Sequence, residues 1–101
     1  MIPAWLLALV LTLLFPVRHA TIDKIIACES SYEADAQNPV SSAAGLMQIT
    51  RGTWGDVRKR QPHLPPFEVG RYDPWVNLEA GYWLIQHRGL QPWDASRGCW
   101  S

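Results

Sequence analysis

The sequence has no excess of charge of either sign: nine Lys and Arg stand against nine Asp and Glu. Without a basic stripe it lacks the electrostatic footprint of a nucleic-acid-binding protein, so no nucleic-acid partner is expected. At 101 residues it is too short for two domains. No apolar run reaches the ~20 residues that a membrane-spanning helix requires. His19, His63 and His87 are isolated and no His-Glu-x-x-His occurs. The two cysteines are too far apart for a zinc knuckle, so no metal and no cofactor is expected. Gly-x-Ser-x-Gly and phosphate loops are also missing, which removes serine-nucleophile and phosphate-loop chemistry. There is no internal repeat, no low-complexity tract and almost no apolar–polar alternation of the strand kind. With 48% hydrophobic residues the chain is not a disordered tail.

The charges that are present are unevenly placed, since none falls before Arg18. Residues 5–15, Trp-Leu-Leu-Ala-Leu-Val-Leu-Thr-Leu-Leu-Phe, form an apolar run followed by Pro16 and then Arg18, His19 and Ala20. That length suits the central region of a signal peptide. No Lys or Arg precedes the run, and Arg18 stands where a small residue is preferred two places before a cut after Ala20. Residues 1–20 are therefore expected to be a signal peptide or an N-terminal membrane anchor, with a buried helix as the third reading. Membrane association would run through residues 1–17. Removal after Ala20 leaves residues 21–101, with eight basic and nine acidic side chains and a net charge of −1. So small a core is marginal by itself.

Cys28 and Cys99 bear on that problem. An exported chain meets an oxidising compartment, where a bridge between them would close nearly the whole domain. In the loop-entropy picture, a closure of about 70 residues contributes roughly 4 kcal/mol. The alternative is two buried free thiols.

Ile22, Ile25, Ile26 and Cys28 recur at helical spacing, with Thr21 and Asp23 as cap and first-turn acid, and predict a helix over 22–32. Residues 33–44 are rich in Ala, Ser, Asn and Asp and read as a loop. Residues 45–49 form a compact apolar turn, and a second helix is expected over 53–59. Three prolines between Gln61 and Phe67 exclude regular structure there. Asp73 as cap and Pro74 at the first helical position open a helix whose face is Trp75, Leu78, Tyr82 and Ile85. From Gly89 onward Gly89, Pro92 and Gly98 break the chain. The expected fold class is mainly α, a small domain of short helices and long loops.

One carboxylate stands out. Glu29 ends an apolar helical stretch and is followed by Ser30, Ser31 and Tyr32. A glutamic acid held against apolar walls keeps a proton available for a leaving oxygen near neutral pH. Composition alone reads the same residue as an ordinary surface carboxylate at a helix end.

The ordered pattern Glu29-Ser-Ser-Tyr32, Asn38-Pro-Val-Ser-Ser-Ala-Ala-Gly-Leu-Met-Gln-Ile49, Thr53-Trp54 and Asp73-Pro-Trp-Val-Asn-Leu-Glu-Ala-Gly81 closely resembles the lytic transglycosylase (SLT-like) branch of the lysozyme-like superfamily. The resemblance covers about residues 22–100. The ending Gly89-Leu-Gln-Pro-Trp-Asp-Ala-Ser-Arg-Gly-Cys-Trp100 looks like the short secreted and phage-associated members, in which this cysteine pairs with the one beside the glutamate. The resemblance implies a lysozyme-like domain stapled by Cys28 and Cys99, with Glu29 as the single general acid/base. Gly45, Leu46, Met47 and Gln48 match the family's Gly-Leu-Met-Gln motif, whose Met and Gln line the sugar site, and Ser42 and Ala44 fall in the preceding turn. Asn77 matches the Asn of the later helix motif, and the resemblance implies that it binds substrate together with Ser42, Gly45, Met47 and Gln48.

Two departures stand beside these matches. The loop between Glu29 and Gln48 is one residue longer than the family's commonest form, leaving Asn38, Ser41 and Ser42 as alternatives for its serine contact. Seven residues after Asn77, where larger relatives often place a cleft tyrosine, stands Leu84, and Tyr82 or Trp83 is expected to fill the space.

No second carboxylate is evident for the usual two-carboxylate glycosidase geometries; Asp35 and Asp56 read as surface charges. The resemblance implies a substrate-supplied nucleophile: the muramyl 6-hydroxyl closes onto C1 and leaves a 1,6-anhydro end. The implied partner is the peptidoglycan glycan strand, met by a monomer that is secreted, periplasmic or virion-associated, or membrane-anchored if the leader stays. A hydrolytic lysozyme on the same fold and a weakly catalytic wall-binding module are the alternatives. Of the six tryptophans, Trp54, Trp83 and Trp100 are expected in the core, while Trp75 and Trp93 divide evenly between core and sugar stacking. The run Arg58-Lys59-Arg60 reads as a solvated helix face.

Overall fold

The structure, a computed structural model, describes residues 3, 5, 6, 9, 13 and 19–101. The leader expected over 1–20 lies, apart from those positions and the last two residues, outside the described residues. From His19 onward the elements are α1 His19–Ser30, α2 Arg51–Arg60, α3 Phe67–Gly70, α4 Pro74–Arg88, 3-10 turns over Gln91–Ser96, and α5 Arg97–Trp100. Among the described residues β pairing is confined to isolated antiparallel bridges, Gln37 with Ala44 and Ala44 with Ile49. No described helix is long and apolar enough to cross a membrane.

α1 buries Ile22, Ile25 and Ile26 completely, the face that their spacing predicts. It starts and ends earlier than the sequence suggests, because Ser31 and Tyr32 take left-handed φ of 52° and 64° and stop it after Ser30. Thr21 then falls inside the helix and caps nothing. The carboxylate of Asp23 instead accepts the Tyr32 hydroxyl at 2.7 Å. Burial, followed by that hydrogen bond and the Asp23 charge, pushes the Tyr32 phenol up to about 12.

α2 is longer than predicted because Thr50 is its N-cap, accepting from the Thr53 N–H. Arg58, Lys59 and Arg60 occupy its last turn, where cations complement the carbonyl end of a helix. Lys59 and Arg60 are exposed, as expected for a solvated face, while Arg58 Nε donates to the Leu64 carbonyl at 2.9 Å. Trp54 is 1% exposed, donates its indole N–H to the Pro65 carbonyl at 2.9 Å and meets Phe67 edge-on. The proline-rich loop is thus held from inside.

α4 begins as its sequence says: Asp73 accepts from the N–H groups of Trp75 and Val76, and Pro74 is the first helical residue. Gly89, at φ 63°, ends it. The tail departs from expectation. Its breakers do not abolish helix but shorten it, and Trp93 and Trp100, 3% and 5% exposed, hold two brief turns onto the core. α1 packs chiefly against α5 and the 3-10 turns, while α2 packs against α4. The Cys28–Cys99 disulfide joins α1 to α5 across 71 residues of chain.

Candidate active site

Glu29 sits in the last turn of α1, half-buried, with Cys28 tying the same turn to α5. Its Oε1 accepts the Ser96 hydroxyl at 2.5 Å. The Ser96 oxygen also lies 3.1 Å from the Trp93 carbonyl and accepts the Trp100 indole N–H at 3.1 Å. Trp93 in turn donates its indole N–H to the Met47 carbonyl at 2.8 Å. A chain of hydrogen bonds therefore runs from the glutamate through the tail to the Gly-Leu-Met-Gln turn.

That turn is built by backbone strain and one buried amide. Gly45 adopts φ 81°, and a Cβ there would fall 2.2 Å from both the Arg71 carbonyl and Asn77 Nδ2. Asn77, fully buried, accepts the Met47 N–H at 2.9 Å and donates to the carbonyls of Ala44 and Arg71 at 3.1 and 3.0 Å. Gln48 has φ 51° and donates from Nε2 to the carbonyls of Ala36 and Gly45. The non-glycine residues with positive φ, Ser31, Tyr32 and Gln48, all flank this region, each costing of order 1 kcal/mol that the surrounding contacts must offset.

The expected site residues separate into groups. Glu29 and Gln48 reach the surface, and Gln48 lines a cavity of about 50 Å³ with Thr50, Thr53, Leu84, Pro92 and Trp93. Leu84, at the position of the larger relatives' tyrosine, therefore does face this side. Met47 and Asn77, expected against the sugar, have no solvent exposure at all; the first fills the core beneath Gly81 and the second braces the turn. Gly45 is likewise enclosed and acts through its backbone. Ser42 accepts the Arg51 N–H at 3.0 Å at the start of α2, Ser41 accepts the Ala43 N–H, and Asn38 accepts the Val40 N–H, so each alternative serves the loop.

Tyr82 and Trp83 are displaced from the expected place. They line a separate cavity of about 730 Å³ on the outer side of α4, with Leu13, Trp75 and His87 among its walls, and it shares no residue with the cluster around Glu29. The reason is helical phase: Leu84 and Asn77 point inward, which turns Tyr82 and Trp83 away. Trp83 is half-buried and stacks on His87 with ring centroids 4.0 Å apart, and Trp75 is 45% exposed. Trp93, one of the two undecided indoles, is core.

Neither carboxylate weighed as a partner for Glu29 joins this line. Asp35 is exposed, and Asp56 meets Arg88 at 3.5 Å and Lys59 at 3.8 Å on the α2 surface. Among the described residues no group of His, Cys, Asp and Glu could hold a metal ion. Ser96 is the site residue that the sequence reading misses. It belongs to no motif, and its signal is positional: three residues after Trp93 and three before Cys99, which a bridge to Cys28 brings beside Glu29.

Residues 14–96 match the family described as the transglycosylase SLT domain. No curated protein and no solved structure matches the chain.

Proposed function

The chain belongs to the transglycosylase SLT-domain family, and from that premise we propose that it cleaves the β-1,4 bond between N-acetylmuramic acid and N-acetylglucosamine in peptidoglycan. Glu29 acts first as acid and then as base. Its proton passes to the glycosidic oxygen as the bond to muramyl C1 breaks. The carboxylate then takes the proton of the muramyl 6-hydroxyl, whose oxygen bonds to C1 and leaves a 1,6-anhydro end. The two half-reactions in succession return Glu29 to its protonated starting form, and no water is consumed. The apolar run of residues 5–15 supports action outside the cytoplasm, on the wall.

The observation that carries this reading is the hydrogen-bonded line from Glu29 through Ser96 and Trp93 to the Met47 carbonyl. It couples one half-buried carboxylate to the Gly-Leu-Met-Gln turn, while Asp35 and Asp56 lie in the exposed loop and on the α2 surface. Glu29 acting as both acid and base suits a reaction whose nucleophile is part of the substrate, where a two-carboxylate glycosidase would need a partner at ~5–9.5 Å.

Digestion of purified peptidoglycan followed by mass analysis of the products tests it. Wild-type protein is expected to release anhydro-muropeptides and Glu29→Gln none. Products heavier by one water, about 18 Da, would replace the transglycosylase step with hydrolysis. Wild-type rates from Glu29→Gln would remove Glu29 from the chemistry.

A further inference from the structure

We propose that Ser96 is the positioning residue of Glu29, fixing Oε1 so that Oε2 carries the proton that travels to and from the sugar; this rests on the acid/base role given to Glu29 above. Oε1 is occupied by the Ser96 hydroxyl at 2.5 Å, and among the described residues Oε2 has no hydrogen-bond partner. One oxygen is thereby held by the protein and the other is left for substrate.

The surroundings of Ser96 suit a carboxyl that must alternate between two charge states. A serine hydroxyl has one hydrogen to give and two lone pairs. One lone pair faces the Trp100 indole N–H, which reaches both the Ser96 oxygen and the Trp93 carbonyl at 3.1 Å, and the hydroxyl hydrogen has two acceptors in reach, Glu29 Oε1 and the Trp93 carbonyl at 3.1 Å. Once Glu29 has given up its proton, the carboxylate is the stronger acceptor and draws the Ser96 hydrogen. When the 6-hydroxyl proton arrives on Oε2, Oε1 becomes a neutral carbonyl oxygen and the Trp93 carbonyl shares that hydrogen. The response needs only rotation of one O–H bond. Ser96 keeps its own proton throughout, so the balance of the reaction is unchanged. Trp100, 5% exposed, and the Cys28–Cys99 bridge keep this donor in place before the reaction begins.

The test compares Ser96→Thr with Ser96→Val, which have the same shape with and without a hydroxyl, alongside Ser96→Ala and Glu29→Gln, by rate of muropeptide release from peptidoglycan. Loss of a hydrogen bond to a charged group predicts that Ser96→Val and Ser96→Ala lower kcat by about tenfold or more. KM is expected to stay within about twofold, because Ser96 does not touch the sugar. Ser96→Thr is expected to recover most of kcat. Equal kcat for the Thr and Val variants, with Glu29→Gln inactive, overturns the role of Ser96 alone. An active Glu29→Gln overturns the acid/base assignment, and the role of Ser96 with it. Circular dichroism of each variant separates a loss of kcat from a loss of folded protein.

Discussion

The side-chain oxygen of Asn77 accepts the backbone N–H of Met47 at 2.9 Å, while its amide donates to the carbonyls of Ala44 and Arg71. One buried residue of α4 thus satisfies three backbone groups around the turn that follows the long loop. Asn77→Ala orphans the Met47 N–H and the Arg71 carbonyl, while the Ala44 carbonyl keeps the Ile49 N–H at 3.1 Å; the cost of about 2 kcal/mol lowers Tm by about 10 °C for a domain of this size. Asn77→Asp keeps the acceptor but turns an anionic oxygen toward two carbonyls, and is expected to be no better. Thermal melts of both variants check this.

Glycine substitutions are expected to act with opposite signs at two positions. Gly45→Ala places a Cβ 2.2 Å from the Arg71 carbonyl at a φ of 81°, so the turn must open or the chain unfold. Gly55 lies exposed within α2 with nothing within 4 Å of its added Cβ. Gly55→Ala should therefore stabilise by about 0.5–1 kcal/mol, through helix propensity and a less flexible unfolded chain. Urea midpoints measured with an unchanged m-value decide both.

Reducing the Cys28–Cys99 bridge frees a 71-residue loop, which removes about 4 kcal/mol in the chain-entropy picture. Cys99 is exposed, so a thiol reductant can reach it. The reduced protein is expected to melt well below the oxidised form. If the proposed activity holds, it should also lose muropeptide release at temperatures where the oxidised form releases them, because the tail no longer presents Ser96 to Glu29. Paired melts and digests with and without dithiothreitol test this.

Tyr32 sets an alkaline limit on stability. Its phenol is raised from 10.0 to about 12 in the folded chain. A raised folded value means that the folded state holds the proton more tightly than the unfolded one. The contribution is then complete below pH 10 and is lost as pH rises toward 12. Denaturation midpoints across that window should fall for the wild type, and Tyr32→Phe should flatten the part of the decline that this residue causes.

Local chemistry explains which parts of the fold could be read in advance. Asp73, Pro74 and Gly89 carry their own cap, start and stop, so α4 is legible almost to the residue. The Ile22, Ile25 and Ile26 face is legible for the same reason, but the end of α1 is not, because it depends on two left-handed residues, Ser31 and Tyr32, neither of them glycine. The helical turns of the tail escape because their stability comes from burying Trp93 and Trp100 against distant segments, which the breakers beside them conceal. In the candidate site, the motifs single out Glu29 and the turn and imply sugar contacts for Met47 and Asn77. Their 0% exposure shows side chains that shape the surface from beneath it. Ser96 is invisible to motif reading, since its role arises from a contact made across 67 positions.

The pairing of α1 with the tail also sets a sequence of events in time. A chain delivered amino end first supplies Glu29 early, while Ser96, Cys99 and Trp100 arrive after everything else in the domain. Until that tail has docked on α1, Glu29 lacks the Ser96 hydroxyl and the Cys28–Cys99 bond, so the cluster around the glutamate is assembled only when the whole domain is, and a partial chain carries the carboxylate without its setting.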